Sequence, residues 1–191
     1  MSQIAVDPPR RHRLSVSDYY RMAEVGILAP DARVELIDGE IVDMAPIGSR
    51  HNAIVDRLAV RLQKAVGELA IVRTQGSVSL GSYSEPEPDI ALLRPNADSY
   101  WSAQPSAADI FLLVEVAGSS LRYDRDVKIP LYAQHLVPEV WLIDIETLRL
   151  TQYRSPSRTG YSSIHEPDLG MPLILEALGN MPVDLSSLFP R

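Results

Sequence analysis

The chain has 191 residues, enough for one domain with a sizeable core, and its composition of 46% hydrophobic and 23% charged residues is that of an ordinary globular protein. It contains no cysteine, which excludes disulfides and thiolate metal sites, so any metal must be held by oxygen or imidazole. A formal net charge of −7 excludes a broadly basic nucleic-acid-binding surface and confines any such role to a local site.

The first residues, MSQIAVDPPRRHR, carry basic side chains with no apolar stretch after them, unlike a secretory signal. Residues 1–12 are expected to form a solvated tail and residues 13–191 a single domain. No apolar run approaches the roughly 20 residues of a membrane-spanning helix. Lack of cysteine fits the cytoplasm.

In chain order, residues 15–28 open with Ser15 and Asp18 at capping-box spacing and predict a helix. RVELIDGEIVDM (33–44) predicts a hairpin about Asp38-Gly39, because both turn residues must adopt positive φ. Residues 49–69 predict a long amphipathic helix with Ser49 as its N-cap. Its buried stripe is Ile54, Leu58, Leu62, Ala65, Val66 and Leu69, while Arg57, Arg61 and Lys64 fall mostly off that stripe and face solvent.

Strands are predicted at 71–80, 89–93 and 110–116, with a proline-punctuated loop at 94–108 between the last two. Tyr100 and Trp101 in that loop are read as packing onto the domain or a second subunit, or as stacking on bases. A helix over 124–135 and an apolar strand at 140–144 follow, the strand pairing in parallel through its crossover helix. LRLTQYR and YSSIHE form a second hairpin about Ser155 to Gly160, and LILE and DLSSLF close the chain.

Glu115 is the first chemical anomaly. Six apolar residues surround it in IFLLVEV, and a buried carboxylate costs several kcal/mol unless it is compensated. A metal ion, a lysine or hydrogen-bond donors would serve, and a purely structural salt bridge would satisfy the same need. Asp89 is the second: Pro88 cannot donate to a sheet, so it marks a strand start with Asp89 at the entrance. If the two strands are neighbours, both carboxylates converge at one sheet edge as a hard, oxygen-rich site suited to Mg²⁺ or Mn²⁺. Such an ion neutralises charge on a phosphate and acidifies water. Lys128 shares a helix face with Asp124, Leu131, Tyr132 and His135, so it is drawn toward the sheet. It can orient an attacking water there, or simply pair with Asp124.

These segments resemble the PD-(D/E)XK nuclease superfamily, most closely its Uma-two branch of restriction-endonuclease-like proteins. The carrying stretches are ELIDGEIVDMAPIGSRH (35–51), PEPDI (86–90), LLVEVAGSSLRYDRDVKIPLYA (112–133) and VPEVWLID (137–144). The resemblance implies an α/β (α+β) core: a mixed central sheet flanked by helices, with an extra N-terminal helix and hairpin. It also implies a Mg²⁺- or Mn²⁺-dependent endonuclease acting on DNA as a homodimer. Asp89 and Glu115 match the acidic metal-binding pair, Lys128 the catalytic lysine, and Glu35 an upstream acidic residue that the resemblance implies assists catalysis with a further metal contact; His51 matches a position with no derivable role. Two departures stand out. Ala117 occupies the usual lysine position two residues past the glutamate, and Gly118 stands where relatives often carry a polar residue. The alternative is a non-catalytic descendant that binds a protein or nucleic-acid partner.

Overall fold

The computed structural model describes residues 11–189. The predicted tail lies outside them except for Arg11 and His12. Arg11 pairs with Glu40 at 3.1 Å, and Arg13 pairs with Asp38 at 2.9 Å, so the chain entering the fold follows the first hairpin.

Helix α1 (Val16–Glu24) begins with the predicted capping box, in which Ser15 and Asp18 bond reciprocally. None of its residues is fully buried, and it ends before Gly26 rather than at residue 28. The hairpin follows as β1 (Val34–Ile37) and β2 (Glu40–Asp43). Asp38 and Gly39 have φ of 50° and 82°. A side chain at Gly39 would also collide with Arg13, whose Cβ lies 2.6 Å from where one would sit.

Helix α2 (Ser49–Val66) buries Ile54, Val55, Leu58, Leu62 and Val66 along one face. Ser49 is not its cap. Gly48 takes the N-cap position with no side-chain bond, and Gly67, at φ 54°, stops the helix ahead of Leu69, which is exposed.

The central sheet has the order β3-β4-β5-β6-β7-β8, built from β3 (Ile71–Thr74), β4 (Ile90–Leu93), β5 (Ile110–Ala117), β6 (Glu139–Asp144), β7 (Arg149–Ser157) and β8 (Gly160–His165). Every neighbouring pair is antiparallel except β5 and β6, which run parallel as their connecting helix requires. The predicted strand at 71–80 is interrupted: Gln75 adopts φ 49°, and beyond it only an isolated bridge from Ser79 to Ser106 remains. The later hairpin forms, with its turn tightened to Arg158 and Thr159. A two-stranded extension, β9 (Leu173–Leu175) and β10 (Met181–Val183), packs against α2.

Side chains alternate along each strand, so the sheet has two apolar faces. Ile90, Leu92, Leu112, Val114, Val116, Trp141 and Ile143 meet α2 and the C-terminal strands. Ala91, Leu93, Leu113, Ala117, Val140 and Leu142 meet the crossover helix α3 (residues 121–134). That helix starts three residues earlier than predicted and is not uniformly α-helical: Leu121–Tyr123 and Ile129–Gln134 flank a π-helical turn, Asp124–Lys128. Pro130 explains the irregularity. It has no N–H and its ring crowds the carbonyl four residues earlier, a conflict that a wider turn relieves.

Candidate active site

Asp89 and Glu115 have the same parity as Ala91 and Leu113, so the pleat directs both toward the α3 side. The antiparallel register pairs Ile90 with Val114, placing Asp89 beside the C-terminal end of β5. Its Oδ2 accepts the backbone N–H of Val116 at 2.8 Å. Its Oδ1 lies 2.9 Å from Nε2 of His51, in the first turn of α2. That hydrogen bond holds the histidine pKa above its ordinary value against the opposing effect of burial.

Glu115 is 3% exposed. Its Oε1 accepts from Nζ of Lys128 at 2.9 Å and from the hydroxyl of Tyr132, both on α3. Lys128 also reaches Oε2 of Glu35, on β1, at 3.2 Å. The same Glu35 oxygen accepts the backbone N–H of Glu87 at 3.2 Å, tying the hairpin to the segment that delivers Asp89. Asp124, one turn before Lys128, is buried as well.

One lysine thus faces three buried carboxyl groups. Burial alone would lower the Lys128 pKa, but the combined attraction of Glu115, Glu35 and Asp124 outweighs it and keeps the ammonium charged. Burial pushes the Glu115 carboxyl well up, with Lys128 opposing, and pushes Asp124 up in the same way. One buried ammonium thus stands against three buried carboxyl groups.

These groups line a cavity of about 550 Å³ that opens between the first hairpin, the start of α2 and the start of α3. Seven carboxylate side chains line it against three lysine or arginine side chains, one of them the Arg33 guanidinium. Among the described residues no group of three or more histidine, aspartate or glutamate side chains is poised as a complete metal cage. Mg²⁺, however, is usually held by one or two carboxylates, with water and substrate phosphate completing its shell. Asp89 and Glu115 offer that donor set, and the excess negative charge around them is what a divalent cation would offset. The residues fit the ion.

Asp89, Glu115, Lys128 and Glu35 are thus all brought to one cavity. Sequence reasoning placed Asp124 on the Lys128 face, but it did not anticipate the bonds made by Tyr132 and His51, nor the half-buried Glu87 beside them. Tyr132 reads as one more apolar member of a helical stripe, and only the depth of its hydroxyl reveals a partner. The 94–108 loop lies at the opposite end of β4 and β5 from this cavity. Tyr100 lies beneath Arg73, whose guanidinium carbon is 5.5 Å from the ring centre, whereas Trp101 is left 92% exposed by the described residues.

The profile of the Uma2 family, described as "Putative restriction endonuclease", matches residues 16–184. Among solved structures, the chain is similar to the crystal structure of "a putative nuclease belonging to DUF820" from Anabaena variabilis ATCC 29413. The TM-score is 0.70 at 14% identity, over 92% of this chain and 97% of the other, a likeness of fold. No curated protein matches the chain.

Proposed function

The chain belongs to the Uma2 family, and from that membership we propose that it is a divalent-metal-dependent endonuclease that hydrolyses DNA phosphodiester bonds at the Asp89–Glu115 edge of the sheet. The observation that carries the reading is Lys128. It is buried at 4% exposure and held between Glu115 at 2.9 Å and Glu35 at 3.2 Å, in the same acidic cavity as Asp89. A structural pair needs one lysine and one carboxylate; a surplus of buried carboxyls beside an open cavity is relieved either by taking up protons or by a further cation, and the cavity gives a cation access.

In this reading Asp89 and Glu115 hold Mg²⁺ or Mn²⁺. The ion supplies a Lewis acid that neutralises charge building on the scissile phosphate and acidifies water. Glu35 and Tyr132 act indirectly. Glu35 fixes the lysine ammonium, and Tyr132 fixes the Glu115 carboxyl through Oε1. Lys128, one of whose protons remains for other acceptors, orients the attacking water and stabilises the developing anion. His51 holds Oδ1 of Asp89. The helical lysine thereby takes the place left by Ala117.

The alternative, a binding protein on an idle site, is favoured by the net charge of −7. It leaves the buried carboxyl surplus without a purpose. Cytoplasmic residence and a homodimer, each protomer cutting one strand, belong to the same proposal. Among the described residues no helix is long and apolar enough to cross a membrane. Incubation of supercoiled plasmid with the chain tests the reading. Nicking that requires Mg²⁺ or Mn²⁺ and is lost in Asp89→Asn, with the variant shown by thermal melting to be folded, supports it; intact plasmid with either ion in the wild type removes it.

A further inference from the structure

One flank of α2, beside the C-terminal segment, carries Arg50, Arg57, Arg61 and Lys64. At about 100° per residue these four fall within roughly 60° of arc, and they span about 21 Å along the helix axis. The carboxylate of α2, Asp56, lies on another side of the helix. Arg50, Arg57 and Lys64 are exposed and Arg61 is half-buried.

In a chain of net charge −7 this stripe is held in place without being neutralised. Arg57 donates to the carbonyl of Leu188 at 3.3 Å. Arg61 donates to the carbonyls of Arg57 at 3.0 Å and Ser187 at 2.8 Å. These acceptors are neutral, and the one carboxylate of the DLSSLF segment, Asp184, is attracted to Arg61 without closing an ion pair with it, so the guanidinium groups are oriented and keep most of their charge. Among the described residues, only Arg50 of the four forms an ion pair, with Glu146 at 3.3 Å.

The stripe also begins at the candidate active site. Arg50 and Ile145 line the large cavity, and both also line a smaller cleft of about 170 Å³ that continues to Arg57 between α2 and the β6–β7 turn. The path leads from the acidic centre onto a row of fixed cations. Phosphates of one duplex strand recur about every 3.4 Å of axis, so a row of this length is matched by several successive phosphates.

We propose that this basic flank of α2 is the track that holds the DNA backbone, seating a phosphodiester strand along Arg57, Arg61 and Lys64 as it leaves the cavity past Arg50. The identification of the polyanion as DNA rests on the nuclease reading above; the position of the track rests on charge and geometry alone. Base identity plays no part, since every contact is with phosphate.

The test is fluorescence anisotropy of a labelled duplex titrated with the full chain in EDTA, across a range of salt. Arg57→Glu and Lys64→Glu are compared with Arg158→Glu, a charge-matched change in the β7–β8 turn at the far end of the sheet. Each stripe substitution is expected to weaken binding about tenfold at low salt and to flatten the slope of log Kd against log salt by about 0.9. Arg158→Glu is expected to stay within about twofold of wild type. Arg57→Gln with Lys64→Gln, checked by thermal melting, replaces any reversal variant that fails to fold.

Wild-type binding unmoved by the stripe substitutions, equal loss in Arg158→Glu, or no wild-type binding to DNA would each overturn the track. The readout contains no metal and no cleavage, so its failure is distinct from failure of the nuclease reading. A chain that nicks plasmid but ignores the substitutions overturns the track alone; one that binds through the stripe and never cuts overturns the catalytic reading alone.

Discussion

Asp89 accepts the backbone N–H of Val116 at 2.8 Å, a bond that crosses from the entrance of β4 to the end of β5 and pins one carboxylate beside Glu115. Because one oxygen is committed to the sheet and the other to His51, the carboxylate is fixed before any ligand arrives. Asp89→Asn can keep the Val116 bond through its carbonyl oxygen while losing the negative charge. It is expected to fold with a loss of about 1 kcal/mol. Divalent-metal affinity is expected to fall at least about tenfold. Thermal melts and metal titration on the same preparation separate the two effects.

Lys128 compensates Glu115, Glu35 and Asp124 together. Lys128→Met is expected to destabilise the fold by about 3–5 kcal/mol in guanidinium denaturation, because it strands buried carboxylates. Adding Glu35→Gln and Glu115→Gln to that variant is expected to restore much of the loss. If the triple variant were no more stable than Lys128→Met, the carboxyl surplus would not be what the lysine relieves.

Tyr132 donates its hydroxyl to Glu115 from the fully buried interior of α3. Tyr132→Phe keeps the ring and its packing and removes the donor. A loss of about 1.5–3 kcal/mol is expected where Glu115 is ionised. It should shrink as pH falls and the carboxyl is protonated. A pH-independent loss would mean that the hydroxyl answers to something other than the Glu115 charge.

His51 has a pKa raised above its ordinary value of 6.5, first by its hydrogen bond to Asp89. A histidine raised on folding contributes stability that is fully present below its unfolded value and is lost as pH rises through the folded one. In the metal-free chain, the stability difference between wild type and His51→Gln is therefore expected to be largest below about pH 6.5 and to decline at higher pH. Urea denaturation of both proteins across that interval measures it, and a difference that grew with pH would contradict the assigned ion pair.

Much of this arrangement is legible in residue order. The period of α2, the Asp38-Gly39 turn and the parity shared by Asp89 and Glu115 follow from side-chain periodicity, which is local. The neighbouring placement of β4 and β5 then brings the carboxylates together. What stays hidden depends on contacts between segments far apart in the chain. His51 and Asp89 are brought together by the docking of α2 on the sheet, and Glu35 meets Lys128 only because the first hairpin bonds to the Glu85–Glu87 segment. Glu35 enters the sequence reading through resemblance alone. The π-helical turn is a further case: Pro130 advertises a conflict, but how the helix resolves it depends on the burial of Asp124 and Lys128 on one side.

The most direct measurement is isothermal titration of Mg²⁺ and Mn²⁺ into the wild-type chain and into the Asp89→Ala, Glu115→Ala double variant. The account expects binding in the wild type that is abolished in the folded double variant, since the two carboxylates are the proposed ligands. Absence of binding to the wild type at millimolar metal, or equal binding by both proteins, would contradict the assignment of Asp89 and Glu115 as a divalent-metal site.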